Sequence, residues 1–339
     1  MSTRLAMTPP WPPLPAPHAN ADTRMAWYAA VARWAPSKHN TQPWHFVSRE
    51  GSLEVWADPL RALGRTDPAR RELTISIGAA IRLAAVAARA AGYDIALRLT
   101  PQGDDGPMAV MSEVGPRVAA EEDGQLLAAV ALRRTDRGPL DAEPLGPDLP
   151  FLLQSVVSAE GCSLRLVTTP GDRKTLAGLI QRADRLLLER GTVDEELTPW
   201  LRAPGDSRRD GVPTDHTRGA AASIRAEFVQ RDYSVAGSTP AQDRAGRDCP
   251  LVGVLCTPGD TTADWLRAGQ ALAAMLLRAT VAGANASYLN QPIEHAAIRS
   301  ELRDQLQLEG VGQLVVRLGR GGPVPPTPRR YLRDLIHRP

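Results

Sequence analysis

The stretch Ala35-Pro36-Ser37-Lys38-His39-Asn40-Thr41-Gln42-Pro43-Trp44 decides how this chain is read. Upstream, Met25, Tyr28, Ala29 and Ala32 recur at helical spacing over residues 24–34. Pro36 has no N–H to continue that helix, so Ser37 and the amides after it fall on a turn. Asn40 and Gln42 add amide donors and acceptors, and Pro43-Trp44 opens an exit strand. On residue types alone, the turn either caps its own backbone or hydrogen-bonds the edge of a flat heterocycle.

Working outward, residues 45–47 and 53–56 read as strands joined at Glu50-Gly51. Residues 75–91 form an Ala-rich helix closed by Gly92, followed by a strand at 95–99. A turn-rich stretch leads to a helix at 121–132. Helices follow at 149–159, 172–189, 265–282 and 294–306, with strands at 164–168, 251–256 and 313–318. This mixture predicts an α+β fold. An offset of 191 residues carries Gly78, Gly92 and Pro101 onto Gly269, Gly283 and Pro292, each time as a helix closed by Gly, a short strand, then Pro. Chance Ala matches inflate the similarity; the shared Gly and Pro spacing points to duplication.

The 339 residues are enough for about two domains or one large one. Apolar content of 43% and charged content of 23% are ordinary for a globular chain, and a net charge of +2 argues against general nucleic-acid binding. Lysine occurs only at Lys38 and Lys174, the other basic residues being arginine. Three separated cysteines form no CxxC pair, and no Cys/His cluster has metal spacing, so no metal is expected. With no apolar leader pattern and an apolar stretch at 271–286 too short to span a bilayer, the expectation is a cytoplasmic protein without a membrane segment. Residues 1–22 are a Pro-rich arm. The long polar stretch 204–248 reads as a lid or an insert.

Three further segments can carry chemistry. Leu132-Arg133-Arg134-Thr135-Asp136-Arg137 is either a solvated basic turn or, if extended, a phosphate cradle with Arg133, Thr135 and Arg137 on one side. Pro325-Pro326-Thr327-Pro328-Arg329-Arg330 is a stiff segment that ends in a basic pair. Asn290-Gln291-Pro292-Ile293-Glu294-His295 leads into a helix whose first amides are expected as free donors toward a group that gains negative charge. No Ser/His/Asp order forms a triad, so no side chain is assigned a catalytic role.

Taken together, these segments resemble the FMN-dependent nitroreductase superfamily. Residues 35–46 look like its PSxxNxQPWxF signature, Arg133 to Arg137 its RRSxR segment, and Pro292-Ile293-Glu294 its PIEG segment, with His295 in place of the Gly. Arg329 and Arg330 match its C-terminal basic pair. The order is rearranged, with PSxxN before RRTxR. It is similar to the Acg-like, actinobacterial FMN-binding branch, as are Asp67-Pro68, Arg71-Glu72-Leu73, residues 264–272 and Pro328-Arg329-Arg330.

The resemblance implies a nitroreductase-like fold in which two similar halves, 23–125 and 126–339, are fused into an internal pseudo-dimer, with antiparallel-containing sheets flanked by helices. It implies one FMN per chain, held by Ser37, Asn40 and Gln42 from one half and by Arg133, Arg134, Thr135, Arg137, Pro292, Ile293, Glu294, His295, Arg329 and Arg330 from the other. The implied activity is hydride transfer through flavin N5 to or from a small organic substrate, with NAD(P)H as a candidate donor. The alternative is a protein that sequesters flavin under a lid. The chain is expected as a monomer or weak homodimer.

Overall fold

A computed structural model of the chain describes residues 9–16, 18–101, 105–138, 140–141, 143–189, 192–216, 227–228 and 251–337. Its organising contact is the crossing of two 20-residue helices, α2 (Arg71–Ala90) and α7 (Thr262–Val281). The crossing is at Gly78 and Gly269. A Cβ on Gly78 would lie 2.1 Å from the carbonyl oxygen of Leu266, and one on Gly269 would lie 2.0 Å from that of Ile75. Ile75 and Leu266 are themselves separated by the repeat offset, so the two clashes are copies of one another. Only glycine lets the two backbones touch. The duplication seen in the sequence is therefore a pseudo-two-fold axis through this crossing.

A sheet packs around each long helix. Helix α1 (Ala21–Ala32) leads into the hairpin β1 (Trp44–Arg49) and β2 (Ser52–Ala57); after α2 come β3 (Tyr93–Leu99), β4 (Ala109–Pro116) and α3 (Glu121–Leu132). The second half begins with α4 (Leu149–Ala159) and β5 (Ser163–Leu166). An insert follows: α5 (Pro170–Glu189), α6 (Thr192–Leu197) and the short parallel pair β6 (Leu201–Arg202) and β7 (Val212–Pro213). Then come β8 (Leu251–Thr257), α7, β9 (Asn285–Tyr288), α8 (Gln291–Glu294), α9 (Ala296–Gln305) and β10 (Val311–Gly319). The strand orders are β1-β2-β4-β3 and β5-β8-β10-β9, the same arrangement twice, antiparallel throughout. In both halves the long helix ends at a left-handed glycine, Gly92 at φ 84° and Gly283 at φ 82°. Pleating does the rest: β1 buries Trp44, Phe46 and Ser48 while the intervening residues are less covered.

Each half completes the other. The C-terminal tail returns to the first sheet, where β11 (Ile336–His337) pairs parallel with β1 through Phe46 and Val47. The segment after α3 crosses to the second sheet, where Thr135 bridges Ala286. The cores interlock as well. Leu266, Ala273 and Leu277 of α7 pack in the first core, and Ile75 of α2 packs in the second. Each fully buried aliphatic side chain contributes about 1.5–3 kcal/mol, so neither core is complete alone.

Two expectations change. Strand β4 lies inside the stretch read as turns, because its alternation fades at Glu113–Pro116, where burial is incomplete. The helix read at 294–306 is two helices, broken at His295 by an extended backbone (φ −115°, ψ 110°). By length and composition α2 could cross a membrane, but 83% of its apolar window is buried inside the fold. Of the N-terminal arm, residues 9–16 are described, and Trp11 is buried edge-on to Trp34. Much of 204–248 lies outside the described residues, as does Cys249; Cys162 and Cys256 are buried free thiols.

The crossing makes a direct prediction. Gly269→Ala should cost about 3 kcal/mol or more in urea unfolding, since neither backbone can yield. Gly124→Ala, in α3 with nothing near its added Cβ, should instead stabilise by about 0.5–1 kcal/mol.

Candidate active site

Beside the crossing a two-lobed cleft opens between the halves. The larger lobe encloses about 740 Å³, solvent included, and has an apolar floor of Pro36, Ile75, Leu272 and Leu314. Its polar rim includes Lys38, Glu72, Asn290, Gln291, Glu294 and Tyr288. The smaller lobe encloses about 460 Å³ and holds Arg133, Arg134, Arg137 and Arg329, with Trp34, Asn40 and Thr327. Pro36, Ser37, Thr135 and Arg137 line both.

The opening motif forms the wall shared by the lobes, and its backbone is strained. His39, Asn40 and Gln42 all have φ near 50°, a left-handed conformation that Asn tolerates and most other side chains resist. Side chains hold the turn in place. The Gln42 N–H donates to Ser37 Oγ at 3.0 Å. Asn40 Nδ2 donates to the Gly211 carbonyl at 2.9 Å and the Gly211 N–H returns to the Asn40 carbonyl at 3.2 Å. Asn40 Oδ1 accepts from Arg329 Nη1 at 3.0 Å. Gln42 is fully buried; its amide donates to the Arg209 carbonyl and accepts from the Arg330 N–H. Ser37 and Asn40 thus line the cleft, whereas Gln42 braces the turn from behind.

All four residues named in the arginine run reach the small lobe. The C-terminal pair separates: Arg329 lines the lobe, while Arg330 turns away to Asp58 at 3.3 Å and to the Gln42 carbonyl. Arg133 is buried, and neither its Nε nor its Nη1 has a hydrogen-bond partner among the described residues; the same holds for Nε of Arg134 and of Arg329. Among the described residues no carboxylate lines this lobe. Burial lowers the Arg133 and Arg329 values below the usual guanidinium range, Arg329 further through Arg133, Arg134 and Arg33. Burial, then Arg133, pushes Arg134 down to about 10. Arginine does not surrender its proton in proteins, so these shifts express an unmet demand for negative charge.

At Pro292 to His295 the structure corrects the expectation. The amides of Ile293 and Glu294 both donate to the Asn290 carbonyl, at 2.8 and 3.1 Å, and so are not free. Pro292 has no N–H, and the short α8 closes on that one oxygen. Pro292 and Ile293 are buried, Ile293 in the core around β8 and β10; neither they nor His295 line the cleft, which Glu294 reaches by its side chain.

The sequence reading passed over Lys38 and Glu72. The Lys38 ammonium, on the motif loop, bridges Glu72 of α2 and Glu294 of α8 (3.4 Å) and reaches the Thr66 carbonyl. All three charged side chains are under 10% exposed, so this pair of contacts ties the halves at the cleft rim. Nearby, Asp67 caps α2 by accepting from the Glu72 and Leu73 amides. Its burial and the Glu72 charge raise its pKa to about 6, against the opposing pull of Lys38. The lone lysine inside a Pro-Ser-Lys-His-Asn run was the available signal; its carboxylate partners, 34 and 256 residues away, were not visible in sequence.

Lys38→Met removes the ammonium that two buried carboxylates share and should cost about 3–5 kcal/mol in thermal or urea unfolding. For Asp67 the folded pKa exceeds the unfolded one, so the folded state binds the extra proton. Its contribution therefore falls as pH rises from about 4 to about 6. Urea titrations of Asp67→Asn across that window should lose this part of the slope.

No family model matches the chain. Two curated Mycobacterium tuberculosis proteins do resemble it. "Putative NAD(P)H nitroreductase acg" is 32% identical over 310 residues, covering 89% of this chain and 92% of the relative. "Putative NAD(P)H nitroreductase Rv3131" is 31% identical over 315 residues, covering 90% and 88%. A solved structure described as a putative nitroreductase from Anabaena variabilis aligns at TM-score 0.48 and 11% identity, over 80% of this chain and 69% of that one, too weakly to carry an argument. On the two mycobacterial relatives, and with its fused halves, the chain belongs to the nitroreductase superfamily, in its Acg-like branch.

Proposed function

We propose that this chain is an FMN-dependent oxidoreductase that transfers hydride to or from a small organic molecule, with NAD(P)H as the electron donor. The observation that carries this reading is the small lobe: among the described residues, buried guanidinium nitrogens of Arg133, Arg134 and Arg329 have no partners and no carboxylate is in the lining. A phosphate monoester supplies both the charge and the acceptor oxygens those groups lack. The residues fit the cofactor. Arg133, Arg134, Arg137 and Arg329 would hold its phosphate, and Ser37 and Thr135 sit where the lobes join. The apolar floor of Ile75, Leu272 and Leu314 suits a flat ring. When bound, FMN supplies a ring nitrogen that accepts and releases hydride. Since the amides of Ile293 and Glu294 are spent on Asn290, they would not serve the ring's polar edge.

A second reading, flavin storage without turnover, draws on the strap at residues 209–213. Asn40 and Gly211 bond each other in both directions, Asp210 is clamped by Arg61 and Arg202, and Val212 lines the small lobe. A strap tied down in this way slows escape of whatever lies beneath it. Anaerobic mixing of the loaded protein with NADPH separates the two readings: rapid bleaching of the flavin band marks an enzyme, a band that stays oxidised marks storage.

Arg133→Met should weaken FMN binding by about 10- to 100-fold, the worth of one or two charged hydrogen bonds, while leaving riboflavin, which has no phosphate, unaffected. Arg320→Ala, on a side chain near Glu143 and outside the lobe, is the control. Equal affinities for FMN in wild type and Arg133→Met would remove the phosphate assignment.

A further inference from the structure

Most polar groups on the large lobe are already committed. Ser76 Oγ donates to the Glu72 carbonyl at 2.7 Å, and Ser37 Oγ accepts from Gln42. Asn290 reaches Glu72 with its amide nitrogen at 3.4 Å and takes the Val315 N–H on its oxygen at 2.9 Å. Lys38 is held by two carboxylates. Tyr288 differs. It lines the lobe from β9, and its hydroxyl is buried with no partner among the described residues. Burial raises its pKa, and the charges of Arg133 and Arg137 pull the other way. The phenol therefore keeps its proton at rest.

Resting on the FMN reading above, we propose that Tyr288 is the proton donor of the large lobe and that the cleft reduces carbon–carbon double bonds conjugated to a carbonyl or nitro group. Bound FMN would supply hydride to the β carbon of such an alkene, the π pair moving onto the α carbon. There the Tyr288 O–H bond breaks and its proton forms the new C–H bond. The phenolate recovers its proton from water, and the nicotinamide donor restores the reduced cofactor. An acceptor that is protonated on oxygen, such as a quinone, obtains its proton from solvent and has no need of a buried phenol. Protonation at carbon inside a cleft does need one.

Tyr288→Phe tests this in the full FMN-loaded chain. The change removes only an unpartnered oxygen, so the unfolding midpoint should be unchanged or higher, and FMN affinity, followed by fluorescence, should hold. Reduction of 2-cyclohexenone should fall about 100-fold or more while reduction of menadione stays within about twofold. Wild-type product formed in D₂O should carry one deuterium at the α carbon. Equal losses toward both acceptors together with weaker FMN binding would make Tyr288 a cofactor-positioning residue and overturn the proposal. So would unchanged enone reduction in the variant, or a wild type that reduces menadione and leaves the enone untouched. A chain that takes up no FMN fails earlier, at the absorbance spectrum, and sinks the FMN reading with it.

Discussion

The contact of Gly78 with Gly269 governs the rest of the molecule. Helices normally pack 8–10 Å apart because side chains separate them. Here each glycine meets a backbone carbonyl of the other helix, so α2 and α7 cross in direct contact. Residues flanking the crossing then reach past the partner helix into the opposite core, as Ile75 and Leu266 do. The close approach brings the N-terminal turns of α2, with Glu72 and Ser76, to the same cleft as Leu272 of α7. A wider crossing would pull those walls apart.

The site departs from the two-fold symmetry that creates it. Arginines gather on one side only, delivered by two chain segments that swap halves: the run after α3 and the tail before β11. Concentrating buried cations without carboxylates is costly in a free protein, since each loses hydration and repels the others. Elsewhere the fold meets such costs with ion pairs, such as Arg202 with Asp210 or Arg24 with Glu113. At the small lobe, buried nitrogens of Arg133, Arg134 and Arg329 have no partner among the described residues, and this contrast gives the lobe its meaning as an anion site. Strain in the motif loop belongs to the same economy. The left-handed His39, Asn40 and Gln42 are held by bonds to the strap and to the tail, so loop, strap and tail stabilise one another.

Much of this was legible in the chain. Periodicity located the long helices, Gly92 and Gly283 marked their ends, and the Gly/Pro spacing announced the repeat. The Pro-Ser…Asn…Gln-Pro-Trp and Arg-Arg-Thr-Asp-Arg runs pointed to the residues that now share a cleft. Legibility stopped where a residue's role depends on a distant partner. Arg329 and Arg330 are adjacent and chemically identical, yet one enters the lobe and the other pairs with Asp58. Gln42 looked like a ligand residue and braces a turn instead. Tyr288 gave no local signal, because an unsatisfied hydroxyl is a property of its surroundings.

By itself the sequence determined most of the element types, the duplication and the location of the arginines, because these rest on local spacing and residue chemistry, and its motifs carried the resemblance to the superfamily. Only the tertiary structure decided which donors remain unspent. Amides that seemed free at Ile293 and Glu294 are consumed by Asn290, while nitrogens of Arg133 that could have found a carboxylate find none. Hydrogen-bond satisfaction is settled by every group that comes within about 3 Å, and most of those groups lie far away along the chain.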